Sequence, residues 1–276
     1  MKKIIAIGIL LLCCGILHAQ TLPSNVPTDG LVAYYGFDGN ADDQSGNGNN
    51  GTLEALEGTA PTFGNDRFGN ANSACVFGGL YNPNYVAVAN SASLHFDTAM
   101  SISFWMQQNT SAGGNRDDCS ASYVADGAYA TLISKGAAST CGGEAGLLIT
   151  NMYSGTTQSY YYFNNNSTEY TETMFASGNY NCYAHNEWVH CVMVHNNGRI
   201  SIYINGVLMM SERPTPNVPT FDQANLHDLY FGIAEGNGYG IYPYNGSLDD
   251  IAIYNRALSD AEVSSLFADY TDPNSA

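Results

Sequence analysis

The stretch 245–267 constrains the fold more than any other part of the chain. It opens as a β-strand and closes as one short, capped helix. Alternation sets Asp249, Ile251 and Ile253 on one strand face. A carboxylate aligned with two isoleucines demands a partner, because burying an unpaired charge is expensive. A cation or a ring of backbone N–H groups would serve. The helix start is well marked. Ser259 is a natural N-cap, Glu262 completes a capping box, and Leu258 with Val263 forms a hydrophobic staple.

Elsewhere the period is two. Leu31, Ala33, Tyr35 and Phe37 share one face; so do Ile102, Phe104 and Met106, and so do Ile200, Ile202 and Ile204. Asn205-Gly206 between Ile204 and Val207 is a strong two-residue hairpin signal, and Asn197-Gly198 is another. Only residues 259–267 read as helix. Many short strands with Gly and Asn turns imply an all-β sandwich or jelly roll.

Residues 1–20 read as a secretion signal. Lys2 and Lys3 precede an apolar run over 4–17, and His18-Ala19-Gln20 offers a cleavage site. Leu11 and Leu12 stand before Cys13 where a lipoprotein would have small residues, which argues against lipid anchoring. Residues 21–29 form a leader, 30–268 one domain and 269–276 a tail. No later run reaches the length of a membrane span. The chain carries 8 Lys+Arg against 25 Asp+Glu, and two of those cations lie in the signal. Such a deficit argues against nucleic acid and anionic membranes as partners. It suits a secreted or cell-surface protein.

Several motifs resemble one family in its own order. They are Leu31-Val-Ala-Tyr-Tyr-Gly-Phe-Asp-Gly-Asn40 with Ser45-Gly-Asn-Gly-Asn-Asn-Gly-Thr52, then Arg67-Phe-Gly-Asn-Ala-Asn-Ser-Ala74. Ser101-Ile-Ser-Phe-Trp-Met106, Leu132-Ile-Ser-Lys-Gly136, Trp188-Val-His190 and Ile202-Tyr-Ile-Asn-Gly-Val207 follow, and the stretch at 245–267 closes the series. Together they resemble the laminin G-like, or concanavalin A-like, jelly-roll domains of secreted bacterial proteins. The resemblance implies a concanavalin A-like jelly-roll sandwich of two antiparallel sheets with one short C-terminal helix. It fixes a fold better than a function.

The resemblance also implies a cation site. Residues 38–46 concentrate oxygen ligands in a Gly-rich loop, as Ca²⁺ requires. By resemblance, Asp38, Asn40, Asp43 and Asp249 are the expected ligands, with Asn50 and Asp250 weaker. The alternative is an Asx-rich turn held by its own side chain-to-backbone bonds. Five cysteines remain after the signal, and export permits disulfides. Cys119 and Cys141 lie in loops longer than the family's and are the favoured pair. Cys182 with Cys191 is a second pairing, which would leave Cys75 free. Cys75 and Cys191 also lie in strand-like runs where a thiol serves as a small buried hydrophobe.

Hydrolase signatures are missing. No glutamate has Asp two residues later, as the sandwich laminarinase motif requires, and no Gly-x-Ser-x-Gly or His-Glu-x-x-His occurs. His190 reads as a packed strand residue. The 20 tyrosines are a softer signal for sugar rings. Tyr239, Tyr242 and Tyr244 lie in the loop before the last strand and are the expected ligand contacts, with Tyr160 to Tyr162 next. The expected function is therefore an exported, non-catalytic recognition module for carbohydrate with a structural Ca²⁺. The alternatives are an adhesion protein binding a cell-surface or matrix protein, and a glycan-active enzyme with loop carboxylates such as Asp117, Asp118, Glu144 or Glu235.

Overall fold

The computed structural model describes residues 22–109, 129–136, 147–152, 158–163, 172–175, 187–212, 224–234 and 243–268. In chain order the first strands are β1 (Leu31–Tyr35), β2 (Gly51–Ala55), β3 (Thr62–Gly64), β4 (Ala74–Gly78) and β5 (Asn84–Val88). Next come β6 (Ala99–Gln108), β7 (Tyr129–Lys135), β8 (Leu147–Met152), β9 (Gln158–Phe163) and β10 (Glu172–Phe175). The series ends with β11 (Trp188–Asn196), β12 (Arg199–Ile204), β13 (Val207–Glu212), β14 (Leu229–Phe231), β15 (Asn245–Tyr254) and helix α1 (Asp260–Phe267).

Two antiparallel sheets result. The first has the order β13-β12-β11-β6-β15-β4-β3, with β1 also paired to β15. The second has the order β10-β9-β8-β7-β14-β5-β2. Sequence neighbours are often not sheet neighbours, since β15 lies between β6 and β4 and β14 between β7 and β5. These crossings make a jelly roll, and the expected fold class is the observed one.

The inner faces share one core. Tyr35, Phe77, Val86, Phe104, Ile133, Met193, Phe231 and Ile253 are among its members. Tyr35 and Phe231 meet edge to face, 5.0 Å between ring centroids. A second apolar cluster covers the opposite face of the first sheet. There Tyr34, Val192, Val194, Tyr203, Ala252 and Tyr254 pack under Val26 of the leader and Leu258, Val263 and Leu266 of the helix region. This explains why β11 is buried at every position from Val189 to His195, two histidines included: both of its faces are covered.

Local chemistry agrees with the turns. Asn197 and Gly198 have φ +48° and +80°, and Asn205 and Gly206 have φ +47° and +74°. Positive φ at both central residues is what a type I′ hairpin demands, and Asn followed by Gly tolerates it. Helix α1 starts with the expected capping box: the Ser259 side chain accepts the Glu262 N–H, and Glu262 accepts the Ser259 N–H at 2.8 Å.

One sequence expectation fails in β15. Leu248, Ile251 and Ile253 all belong to the inner core, but Asp249 does not. The register against β6 shifts between Asp249 and Ala252, and Asp250 takes φ +47°. This is a β-bulge, and the extra residue turns Asp249 onto the helix-covered face beside its partner Trp105.

Candidate functional site

Asp249 is 3% exposed and finds its counter-ion in Arg67, whose Nη1 lies 3.5 Å from Asp249 Oδ2 and 2.5 Å from Asp250 Oδ2. The Asp250 N–H donates to Asp249 Oδ1 at 2.8 Å, and the Tyr34 hydroxyl donates to Asp250. The guanidinium lies over the rings of Phe68 and Trp105, 4.4 and 4.5 Å from their centroids. Burial, then the Asp250 charge, pushes the Asp249 carboxyl well above the usual carboxylate range, although Arg67 pulls the other way. The partner that the sequence demanded is thus a cation of the chain itself. Nothing in the sequence around Arg67 signals this role beyond its place in the motif at 67–74.

His190 lies beside this cluster, its ring 5.0 Å from that of Trp105 and 5.9 Å from that of Phe267. Its Nε2 is 2.8 Å from Ser103 Oγ. A Ser–His pair invites a hydrolase reading, which the geometry rejects. Among the described residues the His190 Nδ1 has no hydrogen-bond partner, so none of their carboxylates orients the ring. Burial, assisted by the Arg67 charge, lowers the imidazole to about 3. Ser103 and His190 are both buried in the sheet. Cys75 lies in the inner core, on the other side of the sheet from this cluster.

The Asx-rich loop after β1 organises itself. Asp43 Oδ1 accepts the N–H groups of Tyr34 at 3.0 Å and Ser45 at 2.9 Å, while Oδ2 accepts that of Asn49 at 2.9 Å. Asn40 Oδ1 accepts the Asp42 N–H at 2.9 Å, and Asn50 Oδ1 accepts the Asp43 N–H at 2.9 Å. Buried Asn49 donates to the Val32 carbonyl at 2.8 Å and accepts from Ser91 at 2.6 Å. Asp38 is exposed at the loop entrance. Three of the residues expected to share a Ca²⁺ are engaged by partners of the chain itself. Asp43 and Asn40 hold turns, Asp249 holds Arg67, and no cluster of three or more His, Cys, Asp or Glu forms a metal site among the described residues. The loop follows the alternative stated from sequence, the self-bonded turn.

Of the expected ligand contacts, Tyr239 and Tyr242 lie outside the described residues, as do Cys119, Cys141, Asp117, Asp118, Glu144 and Glu235. Tyr244 is a correction. It is 0% exposed, packs in the inner core near Phe77, and donates its hydroxyl to the Gln107 carbonyl at 3.0 Å. Its ring therefore cannot meet a ligand. Cys191 is a second correction: it is a buried free thiol, as is Cys75, so the Cys182–Cys191 pairing fails. Burial pushes the Cys191 thiol up to about 12 and that of Cys75 higher still.

Half-exposed aromatic rings occur instead on the outer face of the second sheet. Tyr85 of β5 and Tyr230 of β14 alternate with the core residues Val86 and Phe231 and so point away from the core. Their rings meet edge to face with centroids 5.8 Å apart. Exposed Glu54 of β2 stands directly across from Tyr85, and exposed Thr52 across from Ala87. Partial burial, then the Glu54 charge, raises the Tyr85 hydroxyl above its ordinary value. Paired registers continue the row from Tyr230 through Ser134, Leu148 and Tyr162 to Glu172. The sequence signal for this patch was present, because the two tyrosines alternate with core residues. Only the sheet order, which places β14 beside β5, joins them.

The comparisons agree with this architecture. Domain 4 of AbnA, a GH43 extracellular arabinanase from Geobacillus stearothermophilus solved with arabinotriose, superposes with a TM-score of 0.57 at 21% identity, over 86% of this chain and 97% of that one. The binding domain of botulinum neurotoxin serotype G gives 0.61 at 19% identity, over 86% of this chain and 50% of that one. The binding domain of botulinum neurotoxin DC, solved with rat synaptotagmin II, gives 0.59 at 18% identity over 90% and 53%. This chain thus spans about half the length of those neurotoxin domains. At such identities the likeness speaks for the fold. No curated protein sequence matches the chain. Residues 80–264 match the model of the concanavalin A-like lectin/glucanases superfamily, two thirds of the chain from β5 to the helix, and the chain belongs to that superfamily.

Proposed function

We propose that this domain is an exported, non-catalytic module that binds carbohydrate on the outer face of its second sheet. The observation that carries the reading is the half-exposed Tyr85–Tyr230 pair flanked by Glu54 and Thr52. A tyrosine offers a flat apolar ring and a polar tip, which suits the two-sided chemistry of a sugar ring. Carboxylate and hydroxyl side chains beside the rings supply acceptors for sugar hydroxyls. The arabinotriose bound to the AbnA domain supports the reading by likeness of fold. A non-catalytic role is supported by the closed surroundings of Asp249, Ser103 and His190, which leave no reacting atoms open to a substrate. The signal at residues 1–20 supports export.

A glycan array on the mature domain tests the proposal, followed by calorimetry on a positive glycan. Tyr85→Ala and Tyr230→Ala should each weaken binding by about 1–3 kcal/mol, as for aromatic anchors elsewhere, with unchanged melting. Full affinity in both variants would move the site to the segment carrying Tyr239 and Tyr242. An array without binders, together with capture of a defined cell-surface protein, would favour adhesion.

A further inference from the structure

We infer that the outer face of the second sheet selects neutral or amino sugars and rejects uronate- and sulfate-bearing glycans. The inference rests on the carbohydrate reading above and adds the chemical class of the ligand.

The argument is one of charge placement. Recognition of a carboxylate or sulfate on sugar needs a cation or a set of aimed N–H groups. Among the described residues four are Lys or Arg, and each is committed elsewhere. Arg67 is held by Asp249 and Asp250 on the other sheet. Lys135 is buried, donating to the Asn90 side chain and the His227 carbonyl. Arg199 belongs to β12 of the first sheet and donates to Ser211. Arg256 pairs with Glu262 and Asp29 near the helix.

Around the tyrosine pair the sign is negative. Exposed Glu54 is the direct cross-strand neighbour of Tyr85. The whole chain adds a formal net charge of −17, which raises the cost of bringing a second anion to this face. A neutral pyranose or furanose meets none of this repulsion, and its hydroxyls can donate to Glu54. An ammonium on an amino sugar would be attracted.

The test compares matched oligosaccharides by calorimetry at low salt: galacto- against galacturono-, manno- against mannurono-, and xylo-oligosaccharides with and without glucuronate branches. The neutral member of a bound pair should bind about tenfold tighter than its acidic partner, and added salt should narrow the gap. Glu54→Lys, an exposed change, should shift preference toward the acidic member. Acidic glycan bound as tightly as neutral by the wild type, and lost in Tyr85→Ala, would overturn the inference while leaving the carbohydrate reading intact. Binding that survives both Tyr85→Ala and Tyr230→Ala would overturn the inference and move the carbohydrate site off this face, whereas no glycan binding at all would overturn both.

Discussion

Leu248 and Ile251 stand three residues apart in one β-strand, yet both point into the inner core. Strict alternation forbids this, and the bulge at Asp249–Asp250 permits it. The extra residue aims a carboxylate at Arg67 and so ties the last strand to the segment before β4. Arg67 bridges two carboxylates and packs against two rings. Arg67→Ala should therefore cost about 3–5 kcal/mol, because it strands buried charge. Chemical denaturation checks this. A loss below about 1 kcal/mol would show that the cluster tolerates the missing cation.

Asp249 carries a pH signature of its own. Its carboxyl is raised in the folded state, so the folded chain holds the proton more tightly than the unfolded one. The stabilisation this gives is complete below the unfolded value and is lost as pH rises through the folded value. Asp249→Asn keeps an oxygen for the Asp250 N–H and removes the titration. Its melting temperature relative to wild type should climb from pH 4 to pH 8. A constant difference across that range would contradict the assignment.

His190 acts in the opposite sense. Its imidazole falls to about 3 in the fold, below its ordinary value. Stability from the neutral ring is present above the unfolded value near 6.5 and is lost as pH falls toward 3. His195, lowered to about 4 by burial, adds to the same trend. Denaturant midpoints should drop between pH 6.5 and pH 4 in wild type and drop less in His190→Gln. Equal slopes would exclude His190 as a source of acid sensitivity.

The loop after β1 makes a prediction about metal. Asp43 joins the N–H groups of Tyr34, Ser45 and Asn49, so Asp43→Ala should cost roughly 1–3 kcal/mol through unpaired donors. Chelator should leave the wild-type melting temperature and the size of this loss unchanged. A fall on chelation, restored by Ca²⁺, would bring back the ion expected from the sequence.

Helix α1 closes the outer cluster through its cap. Ser259→Ala should lower stability by about 1 kcal/mol and Glu262→Gln by less. Arg256 and the Ser259 N–H and hydroxyl hold the Glu262 carboxyl down to about 2. Its contribution is present above the unfolded value and fades as pH falls toward 2. Thermal melts of Ser259→Ala at pH 7 and pH 3 should differ less from wild type at the lower pH.

Features that depend on neighbours in the chain were legible from the residues alone. Period two made the strands, Asn-Gly pairs made the hairpins at 197–198 and 205–206, and Ser259 with Glu262 made the helix start. The residues also showed that Asp249 needs a partner. What they left open depends on residues far apart in the chain. A bulge is one residue out of step, and alternation has no signal for where it falls; only pairing of β15 with β6 decided that Asp249 meets Arg67. Tyr244 reads like any loop tyrosine until β4 and β6 close over it. Tyr85 and Tyr230 are 145 positions apart in the numbering, and become one patch because β14 inserts between β5 and β7. Local structure follows from local propensity, whereas burial, ion pairing and a binding face follow from which strands lie side by side.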